Sequence, residues 1–310
     1  MTFVHEDDRE IALEMLESVL RSCSGAVINV FLTDDGSQSR VGDYVVDWCK
    51  RAGVRAICLR NSRNRGFRGA VERTIRLMKA IANEPSAYDI ILRIDTDALV
   101  IRDGLGEWLR VSCTDGHGLY GVTQRMRLQD RIAFLLDLLP IGPKRQIRNG
   151  LIRHYFGSLR FSPVWWWRIG TLGFRRGFSF TFVQGSCYLL GGDVPRELMS
   201  LGYLDDFSEK RYGLVTSEED VIVTVMCHAA GLPFYDLERL DPTWREVNRI
   251  GEGVLDCPLD RVPYVVHPLK STAEHGVLRA RIKHRMPFFS IDDEPHDASN
   301  IKAEISEPPN

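Results

Sequence analysis

The sequence predicts an α/β fold in which a mostly parallel sheet is flanked by helices. Strand-like apolar runs and helix-like amphipathic segments alternate between residues 9 and 94. Turn-forming residues separate these segments, and acidic clusters follow two of the predicted strands. Strands that alternate with helices of this length form βαβ units, whose functional loops lie at the carboxyl ends of the strands.

Hydrophobic periodicity assigns the elements of the first half. A helix is predicted at Arg9–Cys23, where apolar side chains recur on one face after an acidic turn. The elements predicted after it are a strand at Ala26–Leu32, a helix through Val41, Val45 and Cys49 that stops at Gly53, a strand at Val54–Leu59, a helix through Val71, Ile75 and Met78, and a strand at Tyr88–Ile94.

The second half is less regular. Residues 124–176 contain eleven lysines and arginines against two aspartates, interleaved with apolar runs. A strand is predicted at Thr181–Leu190, a helix at Ser217–Ala230 and a short strand at Pro263–His267. Residues 292–310 hold six acidic residues, one basic residue and few apolar ones, so this tail is predicted to be disordered.

Composition narrows the class of protein. The chain has 310 residues, 44% of them hydrophobic, and a formal charge of -2, which suits a soluble globular protein and gives no argument for a polyanionic partner. No apolar run approaches the roughly 20 residues of a membrane-spanning helix, and the start of the chain lacks the pattern of a signal peptide. Seven cysteines without C-x-x-C spacing indicate reduced core thiols, so a cytoplasmic location is expected.

Two acidic motifs follow predicted strands. Asp95 and Asp97 lie one residue apart at a strand tip, so their side chains face the same side. Carboxylate oxygens suit Mg²⁺ or Mn²⁺, which complete their shell with substrate phosphates; the alternative is a turn or helix cap, where aspartate is also favoured. The segment Asp34-Asp35-Gly36-Ser37 is able to accept hydrogen bonds from a ribose or a base edge, or to form an ordinary Asx turn.

Five segments in order carry a resemblance to a known family. FLTDDGSQS, NRGFRGAVERTI, RIDTDA, FVQGSCYLLGGDVPREL and SEEDVIVTVMCHAAG resemble, in this order, the characteristic segments of family two glycosyltransferases with the GT-A fold. The resemblance runs from Phe3 to His267. It differs at the start, where only Thr2-Phe3-Val4 precede the first acidic turn, so the first strand of the family is expected to be nearly absent.

The resemblance implies a fold and a division of the chain. The fold is a GT-A-type, Rossmann-like and mostly parallel sheet flanked by helices, with a mixed acceptor-side half. Residues 1–123 would form the nucleotide-sugar-binding half, residues 124–290 the acceptor-binding half of the same domain, and residues 291–310 the disordered acidic tail.

The resemblance also implies roles for single residues. Asp34, Asp35, Gly66, Arg68 and Asp95 would contact the nucleotide-sugar donor. Asp97, Asp95 and the later His267 would hold Mn²⁺ or Mg²⁺; a satisfied histidine at a strand end is the alternative for His267. Asp220 would be the catalytic base, with Glu219 beside it, and the alternative for both is an acidic first turn that stabilises its helix. The donor expected is a UDP-sugar.

The function expected from this resemblance is a metal-dependent, inverting, non-processive glycosyltransferase of polysaccharide biosynthesis. It would move a sugar from a nucleoside diphosphate to a glycan, a lipid-linked compound or another hydroxyl acceptor. The alternative is a catalytically silent protein of the same fold that binds nucleotide or glycan. A nucleotidyltransferase is disfavoured because no G-x-G-T-R-type loop opens the chain.

The basic, aromatic segment 124–176 has two open interpretations. Trp165, Trp166 and Trp167, with Arg168, Arg175 and Arg176, could contact anionic lipids at the inner face of the membrane. The favoured alternative is that the tryptophans fill the core or stack on acceptor sugars, because three consecutive side chains cannot face one side of any element. Nucleic acid is a poorer partner, since no recognition motif accompanies the basic residues.

Overall fold

A computed structural model describes most of the chain. The described residues are 1–64, 66–113, 116–138, 141–148, 151–161, 164–205, 219–246, 256–258, 261–270 and 272–285. The strands are β1 Thr2–Val4, β2 Asn29–Asp34, β3 Arg55–Arg60, β4 Ile90–Ile94, β5 Leu99–Val100, β6 Leu119–Arg125, β7 Ile141–Arg148, β8 Leu151–Phe161, β9 Thr181–Gly191, β10 Phe234–Asp236 and β11 Val265–Val266. The α-helices are α1 Arg9–Ser22, α2 Val41–Arg51, α3 Ala70–Ala82, α4 Leu105–Ser112, α5 Leu128–Leu138, α6 Val164–Arg175, α7 Val194–Ser200, α8 Glu219–Ala230, α9 Leu237–Leu240 and α10 Ala273–Arg285.

The first half forms a parallel sheet in the order β1-β2-β3. Val4, Asp34 and Arg60 lie side by side at its carboxyl edge. The first strand has three residues, in line with the expectation of a nearly absent strand. Helices α1 and α2 end within one or two residues of the predicted positions, which is the usual uncertainty of helix ends, and α3 contains the predicted Val71, Ile75 and Met78.

A mixed sheet combines strands from both halves of the chain in the order β10-β6-β9-β4, and β9 runs antiparallel to both of its neighbours. The two sheets adjoin through Met1, whose amino group donates to Leu92 O at 2.7 Å and whose carbonyl accepts from Ile94 N at 3.1 Å. A parallel part, a mixed part and flanking helices confirm the predicted fold class.

Both faces of the sheet are covered, as the burial of β2 demonstrates. Phe31 belongs to one apolar core, while its neighbours Val30 and Leu32 belong to the other. Successive side chains of a strand point to opposite faces, so a strand buried on both sides is apolar throughout. The carboxyl edge of the sheet is where its polar side chains gather.

The segment 124–176 contains regular elements that periodicity did not predict. It forms helix α5, an antiparallel pair of strands β7 and β8, and helix α6. Its consecutive aromatic and basic residues match neither a period of 2 nor one of 3.6. The predicted helix at 217–230 is described from Glu219 onward, and the predicted strand at 263–267 is reduced to Val265–Val266. The predicted tail, 291–310, lies outside the described residues.

The seven cysteines are free thiols, and five of them are buried: Cys23, Cys49, Cys113, Cys187 and Cys227. Burial raises the pKa of Cys23 and of Cys49 to about 11. These thiols are therefore protonated packing groups at neutral pH. Across the residues that the structure describes, no helix combines the length and the apolar character needed to cross a membrane.

Candidate active site

The loop after β2 is held by Asp34. Its buried carboxylate accepts hydrogen bonds from Ser37 N at 2.8 Å, Ser37 Oγ at 2.8 Å and Gly42 N at 3.1 Å. Ser37 Oγ in turn accepts from Val41 N at 2.8 Å, so the two side chains satisfy amides in the first turn of α2. Gly36 has φ +72°, and a Cβ there would collide with the Arg63 backbone. Asp34 therefore binds its own loop, although its backbone contact within the loop is with Ser37, three residues on, and not two residues on as in an Asx turn.

Asp35 has a different set of partners. Its carboxylate accepts from Asn61 Nδ2 at 2.7 Å, Gly66 N at 3.0 Å and Arg73 Nη1 at 2.7 Å. These donors come from the end of β3, from the 3₁₀ turn Gly66–Gly69 and from α3. Asp35 thus joins three elements at the carboxyl edge of the sheet. Arg68 lies in the same 3₁₀ turn, and its side chain lies outside the described part of the structure.

The D-x-D segment follows β4. Asp95 N donates to Ser186 O of β9 at 3.0 Å, which fixes the backbone beyond the strand tip. Two residues past Asp97, β5 pairs antiparallel with β11, and Leu99 lies opposite Val266. This register brings His267, the next residue of the chain, next to the D-x-D segment. The late histidine is therefore placed by strand pairing across more than 160 residues of sequence.

Asp95, Asp97 and His267 form a compact cluster. His267 Nε2 lies 3.1 Å from Asp97 Oδ1 and 3.7 Å from Asp95 Oδ2, and one ligand atom from each residue lies within 4.8 Å of the others. Neighbouring ligands of an octahedral Mg²⁺ or Mn²⁺ are about 3 Å apart, so this donor set fits such an ion. His267 Nδ1 is buried and has no hydrogen-bond partner among the described residues.

Electrostatics favours the ionised form of Asp97. Burial by itself would raise the pKa of this carboxyl group. The hydrogen bond and charge of His267, with a smaller effect of Lys270, outweigh burial and lower the pKa below its ordinary value. Asp97 is consequently an anion at neutral pH.

The E-D segment begins helix α8. Glu219 and Asp220 are buried in its first turn, and Asp220 Oδ1 accepts from Val221 N at 2.7 Å. Thr224 Oγ1 donates to Asp220 O at 2.7 Å and accepts from Val183 N at 3.3 Å, which fastens this turn to β9. A Cβ at Gly185 would lie 3.2 Å from Asp220 Oδ2, so glycine allows the carboxylate to approach the strand.

Arg93 joins the D-x-D and E-D segments. Its side chain is only 2% exposed, and it donates to Asp95 Oδ1 at 2.6 Å and to Glu219 Oε1 at 2.9 Å. Burial would lower the pKa of Arg93, but Asp95 and Glu219 raise it above the ordinary value, so the guanidinium is always charged. The two acidic motifs therefore share one buried cation.

A second arginine extends this network to the DDGS loop. Arg73, which binds Asp35, has its Cζ atom 4.8 Å from the centre of the Phe3 ring, and Arg93 has its Cζ atom 4.6 Å from the same ring. Such distances are those of cation–π contacts. Phe3 thus supports both guanidinium groups, and all three acidic motifs meet one continuous cluster of charges.

Sequence reasoning missed Arg73, Arg93, Phe3 and Asn61. One of them carried a signal: Arg93 is a cation inside an apolar strand, two residues before Asp95 and hence on the same side. Buried arginines are rare unless they are paired, so this position indicated a hidden acidic partner. Of the predicted site residues, Arg73 contacts Asp35 and Gly66, and Arg93 contacts Asp95 and Glu219.

The residues of this site and their position in the fold indicate a class of protein. Acidic side chains and a histidine gather at the carboxyl edge of an α/β sheet, which is where such sheets bind nucleotide ligands. The sequence model described as glycosyl transferase family 2 matches residues 1–162, just over half of the 310 residues. The chain belongs to this family, and it is a glycosyltransferase. No curated protein matches its sequence.

Solved structures with a similar architecture include three glycosyltransferases. A mannosyltransferase from Pyrobaculum calidifontis in complex with GDP-Man and Mn²⁺ is 12% identical with a TM-score of 0.43, and the match covers 92% of this chain and 60% of that one. Galactosyltransferase LgtC, in complex with donor and acceptor sugar analogues, is 12% identical with a TM-score of 0.45, covering 92% and 95%. Residues 1–349 of TarS from S. aureus, in complex with UDP-GlcNAc, are 12% identical with a TM-score of 0.40, covering 76% and 54%. Similarity at this level carries no inference about donor or acceptor.

Proposed function

We propose that this glycosyltransferase is metal-dependent and inverting, and that it moves one sugar at a time from a nucleoside diphosphate to a hydroxyl acceptor. The observation that carries the proposal is the cluster of Asp95, Asp97 and His267 at 3.1–3.7 Å, joined through Arg93 to the acidic start of α8. The UDP-sugar remains the donor we expect, and the acceptor is a glycan, a lipid-linked compound or another hydroxyl compound.

Asp97, Asp95 and His267 would hold Mn²⁺ or Mg²⁺. When bound, the ion would supply positive charge that stabilises the diphosphate as it departs. Asp97 is suited to this role because it offers a carboxylate oxygen 3.1 Å from His267 Nε2. His267 offers an imidazole nitrogen, which Mn²⁺ accepts beside carboxylate oxygens.

The nucleoside would bind near the DDGS loop. Asp35 and Gly66 meet there at 3.0 Å, and Arg68 of the same 3₁₀ turn stays a predicted donor contact. The three hydrogen bonds that Asp34 accepts hold the loop conformation, so Asp34 would act on the nucleoside through the shape of this loop.

Asp220 would be the base. The acceptor oxygen would form a bond to the anomeric carbon while the bond from that carbon to the diphosphate breaks, and the hydroxyl proton would pass to the Asp220 carboxylate. Inversion requires the base to lie on the side opposite the leaving group. The adjacent Glu219 is held by Arg93, so it would orient the start of α8. The family assignment favours this enzyme over a silent binding protein.

The test is hydrolysis and transfer with UDP-, GDP- and dTDP-sugars, with Mn²⁺, with Mg²⁺ or with chelator. We expect turnover that requires a divalent ion and that falls at least a hundredfold in Asp97→Ala and in Asp220→Asn, about the loss of a general base. Asp47→Asn, on the exposed side of α2, is the matched control and should keep full activity. Turnover that survives chelation, or variants as active as the control, would contradict the proposal.

A further inference from the structure

Helix α5 has an exposed apolar stripe besides its buried face. Leu128, Ile132 and Leu135 are 46–72% exposed and follow the i, i+4, i+7 spacing that places side chains on one side of a helix. Phe134 and Leu138 of the same helix are buried in the core. The solvent side of a surface helix is normally polar, so a second apolar side needs an explanation.

Helix α6 lies beside α5 and adds an exposed tryptophan. Phe134 of α5 packs on Trp166 with ring centroids 5.7 Å apart and on Phe174 with centroids 5.9 Å apart. Trp167 lies seven residues before Phe174, so both side chains are on the same side of α6. Because Phe174 contacts Phe134 of α5, Trp167 also lies toward α5. Trp167 is 46% exposed, while Trp166 is fully buried. The structure therefore divides these two tryptophans between core and surface; the Trp165 side chain lies outside the described residues.

Exposed arginines adjoin this apolar surface. Arg125 and Arg127 precede α5, and Arg168 and Arg175 lie on α6, and all four are exposed. Asp130, an acidic residue of α5, lies about 200° around the helix from Leu128 and so points away from the stripe. The combination is an exposed apolar and aromatic surface with exposed cations next to it.

We propose that this surface of α5 and α6 docks on an anionic membrane interface. Leucine, isoleucine and tryptophan side chains enter the boundary between headgroups and acyl chains, and arginines bind the lipid phosphates. A second copy of the chain fits less well, because a symmetric contact would bring the same arginines of both copies together. Charge complementarity thus selects the anionic membrane as the partner.

The position of the surface gives the docking a purpose. Strand β6 runs parallel to β4, since both are antiparallel to β9, and α5 starts three residues after β6 ends at Arg125. The surface therefore begins at the same edge of the sheet as Asp95. A docked enzyme would turn its catalytic edge toward the bilayer, where a lipid-linked acceptor lies; this last step rests on the proposed function, whereas membrane binding itself does not.

Flotation of the full chain with vesicles, without donor or acceptor, tests the proposal. We expect binding to vesicles of phosphatidylcholine with phosphatidylglycerol, no binding to phosphatidylcholine alone, and weaker binding at high salt. The double change Leu128→Glu with Ile132→Glu should lower the affinity at least about tenfold, and Arg127→Ala about fivefold, the value of one cation near an anionic surface. Val27→Glu, in the loop before β2, and Val111→Glu, in α4, alter exposed valines away from this surface, are matched controls, and should bind as the wild type does.

Two results would overturn the proposal. One is a wild-type protein that does not bind anionic vesicles. The other is a dimer, detected by light scattering, that Leu128→Glu dissociates while vesicle binding stays unchanged. Because vesicle binding and donor hydrolysis are measured separately, a failed docking surface leaves the enzymatic proposal standing, and the reverse is also true.

Discussion

Arg93 Nη2 donates a hydrogen bond to Glu219 Oε1 at 2.9 Å across 126 residues of sequence. The same guanidinium donates to Asp95 at 2.6 Å. A cation that is buried at the tip of β4 thus sets the position of α8 relative to the D-x-D segment. The two acidic pairs are held together by one side chain that is a member of neither pair.

Removing this cation should destabilise the protein strongly. Arg93→Met keeps most of the volume but leaves Asp95 and Glu219 without their shared partner, which costs about 3–5 kcal/mol of unfolding free energy for a buried pair. Arg93→Lys should recover part of this loss, because the ammonium group keeps the positive charge. The recovery should be incomplete, because this compact group lacks the planar fork of the guanidinium. Urea denaturation measures both values. Arg21→Met, which breaks an exposed pair with Glu17, is the control and should cost less than about 1 kcal/mol; equal costs for the two methionine variants would contradict the network.

Metal affinity should depend on the late histidine. His267→Ala and Asp97→Ala each remove an atom of the cluster, so the affinity for Mn²⁺ should fall at least about tenfold. Titration of the free Mn²⁺ signal by electron paramagnetic resonance measures this affinity without any sugar donor. His284→Ala changes an exposed histidine of α10 and should leave the affinity unchanged. A His267 variant that binds Mn²⁺ as tightly as the control would remove His267 from the ligand set.

A methyl group at Gly185 should impair catalysis more than folding. The added Cβ would lie 3.2 Å from Asp220 Oδ2, tight enough to shift this carboxylate by a few tenths of an ångström, and 3.4 Å from Glu219 Oε1, at the limit of ordinary contact. Small displacements of a catalytic group reduce rates steeply, so we expect Gly185→Ala to lower turnover about tenfold to a hundredfold. Gly276→Ala is the control: nothing lies within 4 Å of a Cβ there, and alanine should stabilise α10 by about 0.5–1 kcal/mol. Full activity of Gly185→Ala would contradict the prediction that a shift of the Asp220 carboxylate impairs turnover.

The contact of α10 with α1 should make stability depend on pH. Burial would raise the pKa of Glu14, but hydrogen bonds from Lys283 at 2.7 Å and from Arg279 outweigh it and lower the pKa. A glutamate whose pKa is lower in the folded state stabilises the fold at pH values above its unfolded-state pKa, about 4.3. This stabilisation is lost as the pH falls through its folded-state pKa.

Glu14→Gln should therefore be less stable than the wild type at pH 7, and the difference should narrow below about pH 4. Thermal or urea unfolding at several pH values measures it. Glu17→Gln, which alters an exposed pair on the same helix, should produce a much smaller pH-dependent difference. A difference in unfolding free energy between Glu14→Gln and the wild type that stays constant from about pH 3 to about pH 7 would refute the ion-pair explanation. This interval covers roughly the whole titration of a carboxyl group.

The local part of the fold was predictable. Helix α1 and the β2 strand were assigned from the spacing of apolar residues, because period and burial are properties of a few neighbouring positions. Helices α5 and α6 were not predicted, because their apolar, aromatic and basic residues are mixed along the sequence. Their inner side is defined only by the residues that pack on it. Of the site, Asp95 and Asp97 could be nominated because an acidic pair at a strand tip is visible in a sequence, whereas Asp220 was nominated by the resemblance to the family.

The sequence by itself determined which acids end the strands and which residues begin the helices, and its motifs were sufficient to indicate the family. Only the tertiary structure decided that Asp34 holds its own loop while Asp35 reaches Arg73, that β5 and β11 bring His267 to Asp97, and that Arg93 joins Asp95 to Glu219. The physical reason is that these contacts link residues far apart in sequence. Their energies come from burial and charge pairing, which exist only once the sheet has formed.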